Sequence, residues 1–259
     1  MTTTTMKEDE QLQLFHPPFS AVITGPSCCG KTTLLADLIK NKLINGKIFL
    51  FYRNWQPLYG IIKSNCSNSN TSSINFFKYW IDKCNDATDA DLHPLESLAK
   101  RNPKSTFIFD DAIEACKSKI IEDFFTRISH HCQCNVILIT QNLFDPNIRV
   151  VTRNASIMII FKSPRDGSQI RHLAYQMYVE KLKAQLFIKR FREITNTPYG
   201  YLFLDFRANT PDYKRIVTDI LNKNPLFHCF EMPWGRSSSS SASVYKQEVG
   251  LDDRVDSSV

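Results

Sequence analysis

The stretch Phe19-Ser20-Ala21-Val22-Ile23-Thr24-Gly25-Pro26-Ser27-Cys28-Cys29-Gly30-Lys31-Thr32-Thr33-Leu34-Leu35-Ala36-Asp37-Leu38-Ile39 decides how this chain is read. Its middle octapeptide, Gly25 to Thr32, fits the phosphate-loop pattern G-x-x-x-x-G-K-[ST] at every fixed position. The apolar run before it reads as a buried strand, and the run from Thr33 to Ile39 carries its leucines at helical spacing. A strand, a glycine-punctuated loop and a helix in that order turn a pattern match into a physical expectation. Backbone N–H groups of the loop and the helix N-terminus face a triphosphate, where the helix dipole favours negative charge. The expected cradle is Gly25, Pro26, Ser27, Cys28, Cys29, Gly30, Lys31, Thr32 and Thr33. Within it, Lys31 reaches the β- and γ-phosphates and the Thr32 hydroxyl ligates Mg²⁺. A glycine turn that binds nothing has no need of Lys-Thr after its second glycine. The expected ligands are therefore ATP and Mg²⁺.

Outward from this segment, 259 residues leave room for one large α/β domain or two small ones. No apolar stretch approaches the roughly 20 residues needed to cross a bilayer. The N-terminus, Met1 to Glu8, lacks the basic and apolar regions of a signal peptide. The expectation is a protein of the cytoplasm or nucleus with no membrane partner, in which the eight cysteines are free thiols. The net charge of +6 is unevenly spread. Between Asn147 and Arg192 lie ten basic residues (Arg149, Arg153, Lys162, Arg165, Arg171, Lys181, Lys183, Lys189, Arg190 and Arg192), opposed only by Asp166 and Glu180. Such clustering is either a footprint for a polyanion or a solvated helix face.

Strand and helix signals alternate along the chain, which predicts an α/β fold of the P-loop NTPase class, a mostly parallel sheet with helices on both faces. After Phe19–Thr24, strands are expected at Lys47–Tyr52, Thr106–Phe109, Asn135–Thr140 and Ala155–Phe161, with Tyr199–Phe206 at the sheet edge. One domain spans 14–235. Residues 1–13 and the serine-rich tail 236–259 read as disordered. The span 54–104 is too long for a simple crossover and reads as an insertion. It holds a polar loop from Ser64 to Ser73 and helical segments near Phe76–Cys84 and Asp91–Arg101.

A phosphate loop alone does not separate an ATPase from a kinase. The discriminating feature is Phe107-Ile108-Phe109-Asp110-Asp111, an apolar strand ending in two carboxylates. Asp110 stands where a Mg²⁺ ligand is expected, and Asp111 can take a proton from attacking water. The alternative is that the pair caps a helix beginning at Ala112. The fourth strand ends Thr140-Gln141-Asn142, and Gln141 is the candidate to sense the γ-phosphate and orient the water, with Asn142 second. An amide that merely satisfies loop backbone is the alternative. The cluster His130, His131, Cys132 and Cys134 lacks a second ligand pair at zinc spacing and reads as packing.

Together these residues resemble a family. The Walker A loop Gly25–Thr32, the Asp110-Asp111 strand, and Phe125-Thr126-Arg127-Ile128-Ser129-His130-His131 running into Val136–Phe144 are similar to viral genome-packaging ATPases of the FtsK/HerA superfamily. The poxvirus-type and Maverick/Polinton-type members, virophages included, are nearest in pattern. Asn154 and Ser163-Pro164-Arg165-Asp166 resemble the distal motifs of that group, and the resemblance runs from Phe19 to Phe206. It implies a homo-oligomeric ring that hydrolyses ATP to thread double-stranded DNA, independently of sequence, into a capsid at its portal vertex. Such a protein works in the host cytoplasm or nucleus, or in association with the virion. It also implies an arginine finger supplied to the neighbouring subunit; Arg127 is the first choice, with Arg153 and Arg165 in reserve. The sequence departs from the family pattern in two places. Cys28 and Cys29 replace small Gly or Ser residues and expose the loop to oxidation, and Asp111 stands where many superfamily members carry Glu. The readings from other classes are a nucleoside or nucleotide kinase and an ATP-binding protein without motor activity.

Overall fold

Among the described residues, nine strands form one sheet: β1 (Ser20–Thr24), β2 (Gly46–Tyr52), β3 (Ser72–Lys78), β4 (Thr106–Asp110), β5 (Asn135–Thr140), β6 (Ile157–Phe161), β7 (Tyr201–Asp205), β8 (Ile216–Thr218) and β9 (Leu226–Phe227). They lie in the order β3-β2-β4-β5-β1-β6-β7-β8-β9. The stretch from β3 to β6 is parallel throughout, and β7, β8 and β9 continue it antiparallel. The computed structural model describes residues 14–67, 72–78, 94–111, 119–165, 167–222 and 225–228. The segments expected to be disordered, 1–13 and 236–259, lie outside these, as does the start of the helix expected at Ala112.

The central strands read as unbroken apolar runs because both of their faces are covered. Side chains alternate, so Val136 and Leu138 of β5 enter one core while Ile137 and Ile139 enter the other. On the second face lie α1 (Lys31–Lys40) and α2 (Pro57–Ser67), which bury Leu35, Leu38, Tyr59 and Ile62. The first face carries α3 (Pro94–Arg101), α4 (Lys119–Asp123), a π-helical turn (Phe124–Ile128), α5 (Ser129–His131), α6 (Arg149–Asn154), α7 (Gly167–Met177) and α8 (Lys181–Ile194). Its densest part is a ladder of phenylalanines. Phe107 lies 5.0 Å from Phe49 and 4.9 Å from Phe124, and Phe51 lies 5.1 Å from both Phe77 and Phe109. Among the described residues, no helix is long and apolar enough to cross a membrane.

Three expectations are corrected. Phe76 to Lys78 are not helical but end the strand β3, which pairs in parallel with β2 along its whole length. The remainder of that predicted helix lies outside the described residues. Ser64 to Ser67 belong to the last turn of α2 rather than to a loop, because Tyr59, Ile62 and Cys66 place one buried stripe at helical spacing. The strand Tyr201–Asp205 is not an edge, since β8 and β9 extend the sheet beyond it. The helix expected at Asp91–Arg101 is seen over Pro94–Arg101.

Candidate nucleotide-binding site

β1 lies mid-sheet, and at its C-terminal end the chain turns into the loop Gly25–Gly30 before entering α1. Gly25 N–H donates to the Thr140 carbonyl at 3.3 Å, tying the loop to the end of β5. A Cβ at Gly25 would fall 2.6 Å from Phe161 Cβ, so no larger residue fits there. Gly30 caps α1 with φ 102°, a conformation open to glycine and costly for other residues. The first intrahelical bond is Leu34 N–H to the Gly30 carbonyl at 2.8 Å. The N–H groups of Lys31, Thr32 and Thr33 therefore have no intrahelical acceptor, which makes this end a seat for an anion. The Lys31 ammonium donates to the carbonyls of Gly25 and Pro26, both at 2.7 Å. A phosphate entering the loop competes with these two carbonyls for the same charge. Cys28 is exposed, while burial pushes the half-buried Cys29 thiol up, partly offset by Lys31.

A cleft of about 880 Å³ opens over this loop. Its lining brings together Ser27, Cys28, Gly30, Lys31, Thr32 and Thr33 with Asp110, Asp111 and Gln141. The sheet order explains the convergence. Parallel strands send their C-terminal ends to one edge, so the residues leaving β1, β4 and β5 meet there. Because β5 lies between β1 and β4, Gln141 stands between the loop and the carboxylates.

Asp110 is buried and accepts a hydrogen bond from the Tyr59 hydroxyl at 2.7 Å. The Gln56 amide stands 3.5 Å from the same oxygen. Burial raises the Asp110 pKa above the usual carboxylate range; Tyr59 and Lys31 pull it back, and the neighbouring Asp111 charge adds to the rise. The Tyr59 phenol is itself driven far up, first by its own burial and then by the Asp110 charge. Asp111 is half-exposed with φ 54°, and its N–H donates to the Ile139 carbonyl at 3.3 Å. A carboxylate and a hydroxyl lining one cleft, Asp110 and Thr32, are the kind of hard oxygen donors that Mg²⁺ takes. A cation beside Asp110 also offsets the cost of its buried charge.

Other candidates stand elsewhere. Asn142 does not line this cleft; its side-chain oxygen accepts from Phe144 N–H at 2.9 Å and from Gln169 at 3.0 Å, which organises the loop after β5. Arg127 is outside it too. It leaves the π-helical turn and donates to both oxygens of Glu96, at 2.9 and 3.0 Å. That hydrogen bonding holds the buried Glu96 carboxyl below its ordinary pKa. Arg153 and Arg165 are exposed and also lie outside the cleft. Cys132 and Cys134 are buried in the apolar core, and burial pushes the Cys134 thiol up to about 12.

Sequence reasoning missed Gln56, Tyr59, Tyr199 and Tyr201, which also belong to this region. Gln56 and Tyr59 follow a strand, Lys47–Tyr52, that was legible, and a segment leaving a parallel strand is the place to seek cleft residues. The missing knowledge was that β2 borders β4.

No family model and no curated protein matches the chain. Among solved structures it is similar to the genome packaging NTPase B204 from Sulfolobus turreted icosahedral virus 2 in complex with sulfate. The identity is 18%, over 75% of this chain and 94% of that one, with a TM-score of 0.49. The same NTPase in complex with AMPPCP gives 16% identity over 82% of this chain and 98% of that one, with a TM-score of 0.48. The cytoplasmic domain of the Thermomonospora curvata Type VII secretion ATPase EccC gives 11% identity over 90% of this chain and 28% of that one, with a TM-score of 0.43. Independently of these distant likenesses, the chain has the architecture of a P-loop α/β domain: a mostly parallel sheet, helices on both faces, and a phosphate loop leaving its middle strand.

Proposed function

We propose that this chain is an ATP-hydrolysing motor that moves double-stranded DNA into a viral capsid, acting as a homo-oligomeric ring at the portal vertex inside the host cell. The observation that carries the enzymatic part is a single cleft holding the phosphate loop, two consecutive carboxylates and an amide between them. The motor part rests on the sequence resemblance of the Phe125–His131 block and the strand ending Thr140-Gln141-Asn142.

In this reading the β- and γ-phosphates sit on the open N–H groups at the start of α1, and Lys31 leaves its two loop carbonyls for them. Thr32 and Asp110 would hold Mg²⁺, whose positive charge would offset the negative charge of the phosphates. Tyr59 keeps the Asp110 carboxylate in place. Gln141 orients a water, whose oxygen bonds to the γ-phosphorus as the bond to the β–γ bridging oxygen breaks. Asp111 takes the proton, and ADP leaves with the bridging oxygen's electrons. Arg127 serves the neighbouring subunit, exchanging Glu96 for the γ-phosphate as turnover begins. The basic segment Asn147–Arg192 supplies phosphate contacts to DNA.

The test is steady-state ATP hydrolysis with and without long double-stranded DNA, with Lys31→Ala as the blank. DNA-stimulated turnover that fades as salt rises supports the motor. Turnover indifferent to DNA sinks it and directs attention to phosphoryl transfer onto a small acceptor. ATP binding without turnover indicates a nucleotide-binding protein instead. Asp111→Asn should bind ATP and not hydrolyse it, and hydrolysis at the wild-type rate would remove Asp111 from the mechanism.

A further inference from the structure

We propose that the nucleobase of the bound triphosphate stacks on Tyr199, at the end of the cleft opposite the carboxylates. The assignment rests on the nucleotide-binding reading above and adds a subsite to it.

The cleft has two unlike halves, and the sheet produces both. On the β5-β4-β2 side its wall carries the polar groups Gln141, Asp110, Asp111 and Gln56 beside the aliphatic Ile139 and Leu58. On the other side the sheet changes direction. Because β7 is antiparallel to β6, with Tyr201 opposite Phe161, it is the start of β7 that reaches the cleft edge. Because β8 is antiparallel to β7, the chain leaving β8 returns to that edge at Leu221. This half of the wall is accordingly Phe161, Tyr199, Tyr201 and Leu221.

Tyr199 is the exposed member of that group. It is 71% exposed and holds φ 59°, a left-handed backbone that a bulky residue rarely adopts. Its side chain lies over the junction of loop and helix, where a Cβ at Gly30 would stand 3.3 Å from the Tyr199 ring. Tyr201 by contrast is partly buried, and burial drives its phenol up. The direction of a bound nucleotide follows from α1. Phosphates sit on its first turn, and the lining then continues from Thr33 to Asp37, one turn further out. A nucleoside leaving the phosphates on the side away from Asp110 and Asp111 meets the Tyr199 ring. Stacking uses the face of the base and not its edge, so it favours the larger purines without reading which purine is present.

The test measures equilibrium binding of ATP, CTP and inorganic tripolyphosphate to the full chain and to two variants. Tyr199→Asn removes the ring and keeps a residue that tolerates the left-handed backbone. Tyr199→Phe keeps the ring. Tyr199→Asn should weaken ATP roughly 5- to 150-fold, CTP less, and tripolyphosphate not at all. Tyr199→Phe should leave all three within about twofold, as expected when the ring face and not the hydroxyl makes the contact. Unchanged ATP affinity in Tyr199→Asn overturns the assignment, and so does an equal loss of ATP and tripolyphosphate, which would mean that the ring shapes the loop. If the wild-type chain binds tripolyphosphate and ATP equally well, the base site falls and the phosphate site stands. If it binds none of the three, both readings fall.

Discussion

At the scale of single residues, the Tyr59–Asp110 pair sets stability against activity. The folded-state pKa of Asp110 is raised, chiefly by burial, above the value of an unfolded aspartate. Between those two values the native state binds more protons than the unfolded one, so stability falls as pH rises through this window. Above its folded-state pKa the ionised carboxylate is therefore a cost to the fold. Asp110→Asn keeps an acceptor for Tyr59 and removes that cost. Thermal melts should show a higher Tm than wild type at pH 7.5, with the gap closing toward pH 4, together with loss of Mg²⁺-dependent turnover. A lower Tm at pH 7.5 would contradict this account. Tyr59→Phe removes the strongest interaction that lowers the Asp110 pKa. It should cost about 1–3 kcal/mol of stability by stranding a buried acceptor, and move the acid limb of the pH–turnover profile to higher pH. An acid limb that stays in place would show that Asp110 does not set it. The loop, Asp110, Asp111 and Gln141 were legible in the sequence because each is announced locally, by a motif or by the end of an apolar strand. Tyr59 and Tyr199 were not, because nothing near them in sequence says that β2 borders β4 or that β7 runs antiparallel.

At the scale of elements, burial on both faces decided what could be read. β1, β4, β5 and β6 are continuous apolar runs and were found within a residue or two. β3, Ser72-Ser73-Ile74-Asn75-Phe76-Phe77-Lys78, is an edge strand of half-buried residues, with polar side chains where a central strand would carry aliphatics. β8 and β9, at three and two residues, are too short to carry a period. The π-helical turn was invisible for another reason, since no composition signals it, yet such turns gather at functional positions. Here it carries Arg127, whose contact with Glu96 is a structural use of the side chain. Because the Glu96 pKa is depressed, the pair stabilises above the unfolded pKa of a glutamate, and the contribution disappears as pH falls through the folded value. Arg127 is half-exposed and Lys100 remains 3.2 Å from Glu96, so Arg127→Ala should cost only about 1–2 kcal/mol. Glu96→Gln should lower Tm by a similar amount. The two variants separate in turnover: an arginine finger requires Arg127→Ala to be inactive and Glu96→Gln active. Equal activity in both would leave Arg127 with a structural role alone. Phe107 lies at the centre of the aromatic ladder on the strand that carries Asp110, and Phe107→Ala should destabilise by about 3–5 kcal/mol in denaturant unfolding.

At the scale of the whole molecule, the arrangement separates the candidate nucleotide cleft from the basic helices. The cleft lies at one edge of the sheet, while the basic helices α7 and α8 cover one of its faces. Their charge is not uniform. Lys183 pairs with Glu180 at 3.0 Å and Arg190 with Glu193 at 2.7 Å, which neutralises both locally. Arg171, Lys189 and Arg192 line, together with Glu193, a groove of about 480 Å³ beside Tyr175. If DNA phosphates are held there, binding follows the release of counterions, and log affinity falls linearly with log salt. Each phosphate contact removed lowers that slope by roughly 0.9. Arg171→Glu combined with Arg192→Glu should therefore flatten the salt dependence of DNA-stimulated turnover by about two units, with the DNA-free rate unchanged because neither residue lines the nucleotide cleft. A fall in the DNA-free rate would mean that the helices support the cleft, and an unchanged slope would place the DNA on another face. The same measurement on Lys183→Glu is the internal comparison. Its charge is already matched by Glu180, so reversing it should move the slope far less than the groove pair does, even though the change in net charge per substitution is identical.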